Sequence, residues 1–218
     1  MLVKDCMTRH PTLISIDTPL MEAQRIMVEN KIRHLPVAGS GKRLLGLVTR
    51  QRLAFKPDFL ASLNVWEITR YLSSMTVKDV MLKANQVQTT EPDQTVERAA
   101  KVMTDKKIGC LPVLEEDIVV GILTEVDLLR SYQVMLGLPF PGVRVTIRMP
   151  DRLGELAKIT RVLGDNQLGV VSIGAYPAPR KEGFYDAVLK IPRVSQQEIR
   201  QILNQIEGQE IIEMRVDE

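Results

Sequence analysis

The sequence predicts an α/β (α+β) protein: a duplicated β-α-β-β-α unit followed by a ferredoxin-like βαββαβ domain. Three observations carry this. Residues 106–130 repeat the plan of residues 30–54; Gly137-Leu138-Pro139-Phe140-Pro141-Gly142, with two prolines and two glycines, interrupts any regular element after the second copy; and residues 143–218 alternate strand and helix patterns in the order βαββαβ. With 218 residues at 44% hydrophobic, the chain has material for one large or two small cores.

The duplication is checkable residue by residue. Ile32, Leu35, Pro36 and Val37 correspond to Ile108, Leu111, Pro112 and Val113, and Gly46-Leu47-Val48-Thr49 corresponds to Gly121-Ile122-Leu123-Thr124 with one deletion in the hairpin between. Upstream, Val3-Lys4-Asp5-Cys6-Met7 meets Val77-Lys78-Asp79-Val80-Met81, and residues 17–23 meet residues 93–99. Each copy has a short leading segment and then an amphipathic helix, marked by Leu20, Ala23, Ile26 and Met27 in one and by Val96, Ala99, Ala100 and Met103 in the other. Asp17 and Asp93 stand ahead of these helices as candidate acceptors for their free amides. Two strands follow, joined by Gly39-Ser40-Gly41 or Glu115-Glu116-Asp117, and a second helix begins after Thr49 or Thr124. A unit of about 60–70 residues buries too little surface to stand alone, so the copies are expected to pack together.

The expected organisation is repeat one over 1–56, a connecting helix over 57–75, repeat two over 76–132, a linker over 133–142 and the last domain over 143–218. Pro57 and Asp58 mark the start of the connecting helix, whose apolar positions include Phe59, Leu63, Trp66, Ile68 and Leu72, with Trp66 read as a packing residue.

The motifs V-K-D-x-M, h-x-x-L-P-V and G-h-h-T-x-x-D, the last complete as Gly121 to Asp127, resemble the CBS-domain pair, or Bateman module, over about residues 1–132. The resemblance implies an adenine nucleotide (AMP, ADP or ATP) held between the repeats as a regulatory ligand, with no cofactor required. Thr124 and Asp127 would contact phosphate and ribose; Thr89, Thr90, Ile108, Cys110, Leu111 and Pro112 would surround the adenine; and Arg33, His34, Thr49, Arg50 and Arg52 would reach the phosphates from the other copy. The alternative for Thr124 and Asp127 is a helix cap. Repeat one carries Arg52 where repeat two has Asp127, and an arginine cannot accept from a ribose, so repeat two is expected to hold the stronger site.

In the last domain, Asp151-Arg152-Leu153-Gly154-Glu155-Leu156 resembles the D-x-x-G-x-L turn of ACT domains, implying a possible effector site at Asp151, Arg152, Leu153 and Gly154. Val171 stands where ACT amino-acid sensors often carry asparagine, so a structural or dimerising ACT-like domain is the open alternative. Two CBS copies and one ACT-like domain together resemble the acetoin-utilisation AcuB family, which implies control of acetoin or short-chain carbon metabolism.

Composition excludes several classes. A net charge of +2 gives no basis for generic nucleic-acid or polybasic membrane binding. No apolar run approaches the ~20 residues that span a bilayer, and Lys4, Asp5 and Arg9 occupy the place of a signal-peptide core, so a cytoplasmic location is expected. Cys6 and Cys110 form no metal or redox pattern and read as structural thiols. His10 and His34, the two histidines, stand in no catalytic or metal-ligand spacing, and neither a Walker loop nor G-x-G-x-x-G occurs, so no enzyme is expected. The readings left are a nucleotide sensor acting on a target enzyme or regulator, and a scaffold that binds a protein partner; either is expected to be a homodimer.

Overall fold

The structure, a computed structural model, describes residues 1–53 and 74–217. The expected connecting helix, Trp66 and the helix after Thr49 lie outside the described residues, apart from the turn at 51–53 and residues 74 and 75. Repeat one contributes α1 (Val3–Cys6), β1 (Thr8–Arg9), α2 (Leu20–Glu29), β2 (His34–Ala38) and β3 (Leu44–Thr49). Repeat two contributes α3 (Val77–Val80), β4 (Leu82–Lys83), α4 (Val96–Lys106), β5 (Cys110–Glu115), β6 (Ile118–Thr124) and α5 (Glu125–Met135). Two compact units result, Met1–Leu129 and Arg130–Glu218, so the division falls inside α5.

Each repeat is completed by the leading segment of the other. β1 of repeat one pairs with β6, Thr8 opposite Ile122 and Arg9 opposite Gly121, while β4 of repeat two pairs with β3, Leu82 opposite Leu47 and Lys83 opposite Gly46. The short helices exchange too: Val3 is fully buried among Val96, Ala99, Met103 and Leu111, and Val77 among Leu20, Ala23, Leu35 and Val48. Matching backbone bonds hold both, Val3 N–H to Gln94 O and Val77 N–H to Thr18 O, each at 2.9 Å. A further cluster of Leu44, Leu47, Val87, Cys110, Val119 and Ile122 joins the two repeats.

The glycine of G-h-h-T has a steric reason in this exchange. A Cβ on Gly46 would lie 2.2 Å from Leu82 O and 3.0 Å from Met81 Sδ; on Gly121 it would lie 2.5 Å from Met7 Sδ and 3.2 Å from Thr8 O. Both β-hairpins bulge at equivalent places, Val37/Ala38 and Val113/Leu114, and the second closes through Glu116 and Asp117 with φ of 47° and 68°, the two left-handed residues a tight primed turn requires.

The expected caps differ. Thr95 Oγ1 accepts from Arg98 N–H at 3.3 Å and caps α4, whereas Asp93 pairs with Lys4 of the exchanged segment; α2 begins after Pro19, which has no side-chain acceptor, and Asp17 does not cap it. Both aspartates stand two residues ahead of the cap position, too early for their oxygens to reach the first-turn amides.

The second unit contains β7 (Gly142–Pro150), α6 (Glu155–Asp165), β8 (Ser172–Pro177), β9 (Phe184–Ile191), α7 (Gln196–Leu203) and β10 (Glu210–Asp217). Its sheet is antiparallel throughout, in the order β10-β7-β9-β8, which is the ferredoxin-like arrangement. Alternate residues Val143, Val145, Ile147 and Met149 of β7 join Ile159, Leu163, Ile199 and Leu203 in its core. On the other face Arg148 grips Asp186 with two bonds of 2.8 and 2.9 Å. Among the described residues no helix is long and apolar enough to cross a membrane.

Three substitutions of the same kind should divide in direction, two destabilising and one stabilising. Gly46→Ala drives a methyl into the Leu82 backbone and is expected to cost about 1–3 kcal/mol, more than Gly121→Ala, whose neighbour is a flexible methionine. Gly164→Ala, inside α6 with open space around it, is expected to stabilise by about 0.5–1 kcal/mol. Urea unfolding curves for the three variants provide the check.

Candidate functional site

The two strand-to-helix junctions are built alike. His34 lies opposite Thr49 in the β2–β3 register, and Cys110 lies opposite Thr124 in β5–β6. Arg50 N–H then donates to Arg33 O at 2.8 Å, and Glu125 N–H donates to Gly109 O at 3.2 Å. Equivalent backbone bonds therefore place Arg33 beside Arg50 in one repeat, and Gly109 beside Glu125 in the other.

A cavity of about 630 Å³ opens where these junctions meet. Arg33, His34, Thr49, Arg50 and Arg52 line it from repeat one; Ile108, Gly109, Cys110, Lys107 and Glu125 line it from repeat two, and Leu47, Leu82 and Val87 supply apolar wall. Among the described residues, four cations thus face one carboxylate. Among the described residues, Arg33, Arg50 and Lys107 make no side-chain hydrogen bond or ion pair, and Arg52 donates only to Val80 O of the exchanged helix α3, at 3.3 Å. Holding Arg33 and Arg50 side by side without an anion is unfavourable, and a phosphate or carboxylate placed between them relieves that repulsion.

Burial sets two protonation states here. Burial holds His34 below the usual histidine range, with Glu125 opposing and Arg33 adding to the depression, so the ring is neutral near pH 7. Burial, reinforced by the Glu125 charge, pushes the Cys110 thiol up to about 12. Cys110, 3% exposed, is an uncharged wall residue.

The other expected nucleotide residues lie elsewhere. Thr124 N–H and Oγ1–H both donate to Asp127 Oδ2, at 2.8 and 2.7 Å, so the pair closes the first turn of α5; Asp127 is only 7% exposed, and neither residue lines the cavity. Leu111 is fully buried in the repeat-two core, and Pro112 is buried with its carbonyl accepting from Thr90 N–H. Thr89 and Thr90 line a separate cavity of about 610 Å³ rimmed by Glu91, Asp93, Glu115, Glu116 and Asp117, a poor place for phosphate. Sequence reasoning missed Lys107, Gly109 and Glu125. Glu125 was discoverable as the counterpart of Arg50 in the repeat alignment.

In the second unit, Gly154 takes φ of 88° and caps α6, while Asp151, Arg152, Leu153 and Gly154 are all exposed. Asp151 lines a shallow cavity with Arg180, Lys181 and Phe184; Arg152, Leu153 and Gly154 do not. The buried Glu155 occupies the first turn of α6, accepting from Gln209 Nε2 at 3.0 Å and Lys158 Nζ at 2.7 Å, which hold its carboxyl below the usual range. Its charge already compensates the positive helix end that an effector carboxylate would use.

The family model for the CBS domain matches residues 3–56 and 77–133, half of the chain. The chain belongs to the CBS domain family. A CBS domain-containing protein of Dictyostelium discoideum is 35% identical over 131 residues, 59% of this chain and 88% of that one. A homoserine O-acetyltransferase of Methanohalobium evestigatum is 34% identical over 131 residues, and this chain spans only 23% of its length. Among solved CBS structures, one assigned as an acetoin utilization protein (AcuB) from Vibrio cholerae is 32% identical with a TM-score of 0.53, covering 64% of this chain and 95% of that one. The CBS domain pair of protein MJ0100, in complex with 5′-methylthioadenosine and S-adenosyl-L-methionine, is 28% identical with a TM-score of 0.50, covering 61% and 99%.

Stability should fall with acid in two steps. The unfolded chain takes a proton on His34 near pH ~6.5 while the folded cleft resists it, so this contribution is whole above that pH and is lost as pH drops through the depressed folded value. Glu155, lowered in the fold, adds a second loss below about pH 4.5. Urea midpoints measured from pH 7.5 to 3 are expected to show both steps, with His34→Gln removing the upper one. Alkylation of the native protein at pH 8 is expected to label Cys6, which is partly exposed, well before Cys110.

Proposed function

We propose that this protein is a non-catalytic regulatory sensor whose cleft between the CBS repeats binds an adenine nucleotide, AMP, ADP or ATP. The observation that carries the reading is the convergence of Arg33, Arg50, Arg52 and Lys107 on one cavity, the first two held adjacent by a backbone bond and without an anionic partner among the described residues. The volume suits a nucleotide. In this reading the phosphates lie among the cations and the purine against Leu47, Val87 and Ile108. Thr124 and Asp127, beside Glu125 at the same junction, extend the site toward the ribose if Asp127 gives up its bond to Thr124 Oγ1. The adenosyl ligands of the MJ0100 domain pair support the ligand class, and the likeness to Vibrio cholerae AcuB supports a place in acetoin or short-chain carbon metabolism, acting on a target enzyme or regulator.

Ligand acts by favouring one arrangement of the repeats, a coupling of typically ~1–3 kcal/mol. Arg52 offers a route, since a phosphate that takes its guanidinium competes with Val80 O on the exchanged helix. Isothermal titration with AMP, ADP and ATP is expected to show binding, and Arg50→Ala is expected to weaken it at least tenfold, ~1.4 kcal/mol. Equal affinity in that variant would remove the cleft from consideration. Asp127→Ala is expected to cost a similar factor; an unchanged affinity would confine Asp127 to its cap.

A specific observation also favours self-assembly. The edge strand β10 carries Glu210, Glu213, Arg215 and Asp217, whereas the opposite edge β8 carries no charge and exposes Ile173 and Tyr176. Charged edges resist pairing and bare ones invite it. Light scattering is expected to report a homodimer, twice the 24.6 kDa chain mass; the monomer mass at micromolar concentration would contradict it.

A further inference from the structure

Among the described residues Glu125 is the one acidic residue lining the cleft, and its place is set by three local facts. Its N–H is fixed to Gly109 O, and a Cβ on Gly109 would lie 3.3 Å from Glu125 Oε2 and 3.5 Å from His34 Cε1. The carboxylate and the imidazole therefore converge over a residue with no side chain. Among the described residues the Glu125 side chain makes no hydrogen bond or ion pair, although four cations share the cavity. In the repeat alignment its counterpart is Arg50, so the two equivalent positions present opposite charges to one space.

An acid in the first turn of a helix is favourable with no ligand present. That role does not require Glu125 here, because Asp127 occupies the same turn and accepts its capping bonds. It also would not place the carboxylate in a cavity.

We propose that Glu125 is the specificity-determining residue of the cleft, grading adenosine-containing ligands by charge: it repels each added negative charge and attracts a positive centre. The assignment rests on the reading that such a ligand occupies the cleft. The three arginines of repeat one admit an anionic group on their side, and Glu125, offset in part by Lys107 of the same repeat, limits how much negative charge extends toward repeat two. A ligand carrying an anionic end and a cationic centre meets both sides; a polyphosphate meets attraction on one side and repulsion on the other. Because the cavity is open and its charged groups are exposed, solvent and salt screen the effect, so it is read as a graded change and not as exclusion.

The test is to titrate the full chain and its Glu125→Gln variant with four probes at one low ionic strength: 5′-methylthioadenosine (neutral), AMP, ATP and S-adenosylmethionine (carrying a sulfonium). Glu125→Gln is expected to leave methylthioadenosine unchanged, tighten AMP about threefold and ATP about tenfold, and weaken S-adenosylmethionine about threefold. Opposite signs for ATP and S-adenosylmethionine cannot come from a structural role, which would move all four ligands together. The same factor for every probe overturns the assignment and leaves the nucleotide reading standing. If none of the four binds the unmodified protein, the nucleotide reading fails and the role of Glu125 falls with it.

Discussion

Met7 lies over Gly121 and Met81 lies over Gly46, and these two close approaches decide where the repeats stand. Each methionine ends a leading helix whose valine, Val3 or Val77, is fully buried in the core of the other repeat. Neither repeat therefore has a complete core of its own. The exchange also adds β1 to β6 and β4 to β3, so each sheet is finished by chain from the opposite copy. A cleft between such interlocked halves has its geometry fixed by the same contacts that hold the fold, which is the condition for preorganised binding.

The backbone of the cleft is close to symmetric, and its side chains are not. Arg33 and Arg50, joined by one backbone hydrogen bond, share the cavity with Gly109 and Glu125, joined by its equivalent. At the next position of the motif, Arg52 reaches the exchanged helix through Val80 O, whereas Asp127 turns inward to Thr124. A duplicated scaffold thereby becomes a directional site, with cations concentrated on one side. Arg52 also ties this cationic side to the exchanged helix through its bond to Val80 O.

The duplication, the strands ending in Thr49 and Thr124, and the βαββαβ order were legible because hydrophobic spacing and turn residues are local signals. The exchange was not. Aligning the two copies reveals that the leading segments are equivalent and says nothing about which sheet each one completes, since both pairings bury the same residue types. The caps failed for a related reason: Asp17 and Asp93 are good acceptors by type, and only the backbone path places them two residues too early. At the site, motif reasoning reached Arg33, His34, Arg50, Arg52, Ile108 and Cys110, all of which line one cavity. It passed over Glu125, because a motif read for the threonine and aspartate of G-h-h-T-x-x-D skips the two residues between them.

The ferredoxin-like unit points to a different task. Its D-x-x-G-x-L turn has the glycine needed to start α6 with a left-handed residue, yet the amide-rich end it creates is already met by the buried Glu155, itself held by Gln209 and Lys158. A second carboxylate arriving there would be repelled, and Val171 offers no polar group to a ligand's other end. What this unit does present is a charged edge strand on one side of the sheet and an uncharged one on the other, and the uncharged edge is the one open to pairing with chain. The two units therefore differ in what they expose: cations without an ion pair among the described residues gather between the repeats, and an uncharged strand lies at one edge of the C-terminal sheet.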